Sequence, residues 1–356
     1  MKKLLLVFAA LALVLTLSAC GEKEDEVVCN EETLAAGSFT VGLVTDTGGI
    51  DDKSFNQGTW EGVERFACEY GVLDEDIRYV QSASDADYLP NISAFADEDL
   101  DLIVMPGFLF EASLITSAAN YPDQKFLIID MVVMADNVAS AVFAANEGSF
   151  LAGVAAALKA EEAGKDTVGF IGGGDFGLIQ NFEAGFEAGV WAVDSTMTVL
   201  VDYVGDFQSA NIGQTLAAKQ YDAGAYVIYH AAGGAGNGLI KEAKDRRTNG
   251  EDVWAIGVDK DQYADGIYND ADDSAILTSM MKRVDVAAYN VALAVLNGTF
   301  PGGNVLTFNL ANNGVGLPAE NPNLSEDMLA TIATYRTGII DGTYDVPLVP
   351  VRISAE

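Results

Sequence analysis

Short apolar runs alternate along this chain with longer stretches in which apolar residues recur at helical spacing. Thr40–Thr45 is apolar almost throughout, as a strand buried on both faces requires. Two glycines, Gly48 and Gly49, then permit a tight turn. Ser54-x-x-Gln57 reads as a capping box, and Trp60, Val63, Phe66, Ala67 and Tyr70 mark one face of the helix behind it. Further strands are predicted at Ile77–Val80, Leu100–Met105, Lys125–Asp130 and Ala139–Phe143. Between them, one helix starts near Asp85 or Tyr88 and is broken or opened by Pro90, and another covers Ala112–Asn120. Asn146–Gly148 leads into a small-residue helix over Ser149–Lys159.

From Thr167 the alternation begins afresh. Strands are predicted at Thr167–Ile171, Met197–Tyr203, Ala225–Tyr229, Val253–Val258 and Ala275–Met280. The intervening helices cover Leu178–Val193, Asn211–Tyr221, Gly238–Arg247 and Lys282–Leu296. A turn at Phe300–Gly303, a strand over Val305–Leu310 and a closing helix over Ser325–Ile340 end the chain. Strand, helix, strand with short connections is the pattern of a parallel, doubly wound α/β sheet. Its restart predicts two such lobes joined by a hinge, residues 38–144 and 145–282, with 283–356 divided between them in a way the pattern leaves open. The chain crosses between lobes near Ala144–Glu147 and returns near Thr278–Arg283. A ligand held between such lobes is contacted from strand C-termini on both sides.

Composition supports this picture and adds an address. The chain has 356 residues, 50% of them hydrophobic and 20% charged, enough for two cores and too apolar for wholesale disorder. Lys2 and Lys3, the apolar run Leu4–Leu17 and small residues before Cys20 make residues 1–19 an export signal too short for a comfortable membrane span. Leu17–Ser18–Ala19–Cys20 resembles a bacterial lipobox, which implies cleavage before Cys20 and a lipid on its sulfur. Residues 20–37 are then a polar tether, and the body is held at the outer face of the cell membrane. The net charge of −34 repels nucleic acid polymers and anionic lipid surfaces. Cys29 and Cys68 form a disulfide in an oxidising compartment or remain free thiols; both readings stay open. No Cys/His cluster supports zinc, and nothing in the sequence implies a cofactor.

Candidate chemistry gathers just past the predicted strand ends. Asp46, Asp130 and Asp259 each follow a strand, Lys282 follows another, and Gly233–Gly234 follow a fifth. Phe55 and Asn56 open the first long helix. Each has a plainer reading: an Asp after a strand caps the next helix, and a Phe in a first turn packs in the core. Glu147 sits where a hinge carboxylate could exchange partners, or where the helix dipole simply favours it. His230, the only histidine, has no nucleophile beside it and reads as packing or pocket wall. Lys260, beside Asp259, is expected to point to solvent.

The run Thr45–Asp46–Thr47–Gly48–Gly49–Ile50 with Asp52–Lys53–Ser54–Phe55–Asn56–Gln57 and Trp60–Glu61–Gly62 resembles the start of the basic membrane protein family of bacterial substrate-binding lipoproteins, which includes purine nucleoside receptors serving ABC importers. The resemblance continues through Phe143–Gly153, Val168–Gly189, Tyr229–Gly238, Ile256–Gln262 and Thr278–Tyr289. It implies a type I periplasmic-binding-protein-like fold, a nucleoside ligand, a permease partner and no catalysis. First-lobe aspartates would then bond the base, while Asp259, Lys282 and the Gly234 amide hold the ribose. Phe55 is the expected stacking ring from the first lobe. Phe207 is preferred from the second, with Phe182 and Phe176 behind it. The serious rival is a sugar-binding receptor of the same architecture. A dinucleotide enzyme using Gly233–Gly238 and a metal-dependent nucleoside hydrolase are weaker, because the glycine spacing and the scattered aspartates both fit poorly.

Overall fold

The computed structural model describes residues 28–354; the export signal, Cys20 and most of the tether lie outside the described residues. The first lobe begins with β1 (Val41–Val44), α1 (Phe55–Tyr70), β2 (Ile77–Val80), α2 (Tyr88–Ala96), β3 (Leu102–Pro106), α3 (Glu111–Asn120), β4 (Phe126–Ile129) and β5 (Val138–Phe143). The second follows with α4 (Ala145–Glu162), β6 (Thr167–Gly172), α5 (Gly177–Val193), β7 (Thr198–Tyr203), α6 (Ala210–Asp222) and β8 (Val227–Ala231). It continues through α7 (Asn237–Thr248), β9 (Trp254–Asp259) and β10 (Ile276–Lys282). Then come α8 (Val284–Leu296), β11 (Val305–Phe308), β12 (Val315–Gly316), α9 (Glu326–Ile340) and α10 (Val351–Ser354).

Two six-stranded sheets result, ordered β11-β5-β4-β3-β1-β2 and β12-β10-β9-β8-β6-β7. All their pairings are parallel except that of β10 with the two-residue β12. The central strands β1, β3, β4 and β9 are buried along their whole length, which is why they read as unbroken apolar runs. In the first lobe, α1 and α8 cover one face of the sheet, and α2 and α3 the other. In the second, α4, α5 and α9 cover one face, and α6 and α7 the other.

Within the described residues the chain crosses between sheets three times, at Ala144, Arg283 and the loop from Asn309 to Gly314. The last was not read from the sequence: β11 pairs beside β5, while β12 and α9 belong to the second lobe. The crossings are tied together, with Ala144 N donating to Phe308 O at 2.8 Å and Arg283 N to Gly314 O at 2.9 Å. Glu147 takes part: its Oε2 accepts from Leu310 N at 2.9 Å, so this carboxylate braces the hinge while standing in the first turn of α4.

Several local expectations need correction. The helix expected from Ser149 starts at Ala145, because its small residues pack on all sides and carry no amphipathic boundary signal. Of the two expectations for Pro90 the structure takes the second: α2 starts at Tyr88 with Pro90 in its first turn, where its missing N–H has no helical partner to lose, so it opens the helix and does not break it. Lys282 ends a strand rather than opening a helix. Ser54 makes no capping bond. Asp52 replaces it: its carboxylate accepts from the backbone N–H groups of Ser54 (3.0 Å), Asn56 (2.8 Å) and Gln57 (3.1 Å). Cys29 and Cys68 are joined by a disulfide, pinning the start of the described chain to α1.

Candidate functional site

Parallel strands all deliver their C-termini to one edge, and in this fold both sheets deliver theirs to the same gap. The cleft is lined by residues of both lobes, apolar walls with a few convergent polar groups, the make-up of a small-molecule site. All nine ligand residues expected from the sequence line it: Asp46, Phe55, Asn56, Asp130, Phe182, Phe207, Gly234, Asp259 and Lys282. So do Asp52, Gly107, Phe108 and Ile179, which sequence reading passed over. Phe108 follows β3 within Pro106–Gly107–Phe108, so the strand-end rule would have found it.

From the first lobe, Asp46 lines the cleft. Its Oδ1 accepts from Gly48 N at 2.8 Å and from Asn56 Nδ2 at 2.7 Å. Asn56 Nδ2 also donates to Asp52 Oδ2 at 3.0 Å, and its Oδ1 accepts from Asp46 N at 3.2 Å. Both Asn56 N–H groups are therefore spent on carboxylates, and the amide acts first as the bracket that aims Asp46. Gly107 (φ +126°) leaves the space in front of Asp46 clear; a Cβ there would lie 3.4 Å from Asp46 Oδ2 and 3.8 Å from the Phe55 ring. Burial pushes the Asp46 carboxyl up to about 6, against the lowering effect of Asn56 and Gly48. Burial also raises Asp52, despite its bonds from Asn56, Ser54 and Gln57.

From the second lobe, Lys282 Nζ forms an ion pair with Asp130 Oδ2, and both side chains are almost wholly buried. The pair spans the lobes, since Asp130 follows β4 and Lys282 closes β10. The ammonium also lies 4.5 Å from the Phe55 ring centroid and 5.7 Å from that of Phe182. Asp259 is buried beside them. Burial drives its carboxyl up to about 7; Lys282 pulls it down, while Asp130 and Asp52 raise it further. The Ser54 hydroxyl, buried and without a partner at ordinary hydrogen-bond distance, is near enough to favour the charged form.

Aromatic rings wall the gap. Phe108 from the first lobe lies 4.9 Å from Phe176 and 6.4 Å from Phe207 of the second, centroid to centroid. Gly233 (φ +53°) and Gly234 run past Phe207. Lys260 does not simply face solvent: its Nζ pairs with Glu61 on α1, a further contact between lobes. His230 is fully buried and does not line the cleft. Among the described residues, no group of three or more His, Cys, Asp or Glu side chains could hold a metal ion. No described helix is long and apolar enough to cross a membrane.

Known proteins resemble this chain over most of its length. The "CD4+ T-cell-stimulating antigen" of Listeria innocua is 40% identical, covering 94% of this chain and 95% of its own. The "ABC transporter nucleoside-binding protein BmpA" of Lactococcus lactis is 36% identical over 98% of this chain and 99% of its own. A crystal structure of an ABC transporter solute-binding protein from Aeropyrum pernix matches with a TM-score of 0.76 at 27% identity, covering 87% of this chain and 94% of that one. The model of the Bmp family, described as "ABC transporter substrate-binding protein PnrA-like", matches residues 39–347. The chain is thus a substrate-binding protein of an ABC transporter and belongs to the Bmp family.

Proposed function

We propose that the protein binds a nucleoside, a purine nucleoside by preference, between its lobes and delivers it unchanged to a permease, from a position fixed to the outer face of the membrane by lipid on Cys20. The observation that carries this reading is that carboxylates, an ammonium and aromatic rings from both lobes line one cleft. Asp46 offers a buried carboxylate oxygen beside a ring, Phe55, suited to the N–H donors and flat face of a base. Asp259 and Lys282, with the Gly234 backbone, offer an acceptor and donors suited to ribose hydroxyls, which both donate and accept. Asp130, expected to meet the base, is paired with Lys282 and so is assigned to the sugar in this reading.

Binding works through closure. Ligand contacts drawn from both lobes exist together only when the cleft is shut, so the ligand's differential affinity for that form stabilises it. Titration calorimetry with inosine, guanosine, adenosine, cytidine and ribose tests the assignment. Purine nucleosides should bind most tightly; ribose binding more tightly than any of them would replace this reading with that of a sugar receptor. For the anchor, mass spectrometry of the protein extracted from membranes should show a chain beginning at a lipid-modified Cys20, and an unmodified Cys20 in that chain would refute lipid attachment at that residue.

A further inference from the structure

A second set of contacts joins the lobes through second-lobe side chains that do not line the cleft. It grips the turn Asp52–Lys53 of the first lobe by its backbone. Gln262 Nε2 donates to Lys53 O at 3.0 Å, and Asn237 Nδ2 donates to Asp52 O at 3.1 Å. Lys53 stands in the left-handed region (φ +60°), an uncommon conformation for a lysine. Neither Gln262 nor Asn237 lines the cleft.

The Gln262 amide has no freedom to do anything else. Its Oε1 accepts from Val258 N at 2.9 Å and faces His230 Nε2 at 3.1 Å, while its backbone N donates to Ser279 Oγ at 3.0 Å. With both lone pairs engaged, Nε2 can only face outward to the Lys53 carbonyl. This needs His230 to carry its proton on Nε2, and complete burial keeps the ring neutral by pushing its pKa down to about 4. The same imidazole fills the space under the Gly233–Gly236 turn, where a Cβ at Gly236 would meet Nδ1 at 2.0 Å. On the other side, the Asp52 carboxylate holds Asn56, and Asn56 aims Asp46 into the cleft. Two uncharged contacts thus tie closure of the lobes to the alignment of an acid in the ligand site.

We propose that Gln262 and Asn237 are positioning residues for closure: they set how stable the shut form is by holding the Lys53 and Asp52 carbonyls, with His230 fixing the Gln262 amide. The proposal rests on the substrate-binding role and not on the identity of the ligand. Opening would strip both carbonyls of these partners and return them to water, so each contact is worth a factor of roughly two to ten in the open-to-closed ratio. Being uncharged, the contacts persist at molar salt, whereas the pairs Lys53–Asp265 and Lys260–Glu61 are screened.

The test compares the full mature chain with Gln262→Glu, which turns an acceptor toward the Lys53 carbonyl, and with Asn237→Ala, which leaves the buried network untouched. Small-angle scattering without ligand should show each variant shifted toward the open form. Stopped-flow measurements with inosine should show dissociation about tenfold faster, with the affinity ratios among inosine, guanosine and ribose unchanged. Wild-type scattering and dissociation rates in a cooperatively folded variant would overturn the proposal, and so would a change in ligand ranking, which would place these residues in the ligand site. If Gln262→Glu fails to fold, Asn237→Ala decides alone. If the wild-type protein binds none of the three ligands, the nucleoside reading fails, while the scattering comparison still judges the clasp.

Discussion

Asp130 and Asp259 occupy equivalent places in two copies of one sheet order. Asp130 follows β4 and Asp259 ends β9, the third strands of their respective sheets. Both adopt a left-handed backbone, with φ of +65° and +67°. Aspartate tolerates that region better than most residues, and there it turns the carboxylate out of the strand and into the gap. A single ammonium, Lys282, pairs with the first and lowers the pKa of the second.

Removing that ammonium leaves two buried acids without compensation. Lys282→Met should destabilise the fold by about 3 kcal/mol in urea denaturation and abolish tight ligand binding. Adding Asp130→Asn should restore part of the stability, since one of the two uncompensated acids is then gone. Strictly additive effects in that double-mutant cycle would show that the pair contributes no coupling.

The raised carboxyls make both stability and binding depend on pH, with opposite signs. Asp46, held up at about 6, and Asp259, at about 7, keep protons in the folded ligand-free protein that an unfolded chain has already lost above about 4. Their contribution to stability is therefore greatest below pH 4 and lost as pH rises to about 7. A ligand that donates hydrogen bonds to these oxygens favours the charged forms, so binding should release protons near pH 6.5 and tighten as pH rises from 5 to above 7. Calorimetry in two buffers of different ionisation enthalpy reads the released protons directly, and proton uptake would contradict the assignment. Glu187, also raised to about 7 by burial, lies outside the cleft. Glu187→Gln should flatten the stability profile and leave binding alone.

Helix α1 separates two residues that look alike in the sequence. Asp52→Ala deletes a carboxylate serving three backbone amides and Asn56, and should cost about 2 kcal/mol with weakened binding. Ser54→Ala removes a buried hydroxyl that makes no cap and should cost clearly less stability than Asp52→Ala. Equal losses would restore the capping box.

The Cys29–Cys68 disulfide spans 39 residues of sequence and restricts the unfolded chain accordingly. Replacing both cysteines by serine should lower stability by about 3–4 kcal/mol. Ligand affinity should not change, because Cys68 lies roughly 20 Å along α1 from the first turn that faces the cleft. An affinity loss without a stability loss would reverse that division.

Local pattern alone was enough to show two parallel sheets, the placing of most strands within a residue or two, and the gathering of Asp46, Asp259 and Lys282 at strand ends. Those features are legible because burial on both faces writes unbroken apolar runs, and because a parallel sheet sends every strand end to one edge. The tertiary structure alone decided the rest. It chose Asp52 over Ser54 as the cap, paired Lys260 with Glu61 and Lys282 with Asp130, and added a third crossing after Phe308. It also set Gln262 and Asn237 against the Asp52–Lys53 turn, about 200 positions away in sequence. Such partnerships depend on which side chains meet once two separately wound halves face each other. No periodicity records that meeting, since every residue in it satisfies its own local rules equally well with other partners.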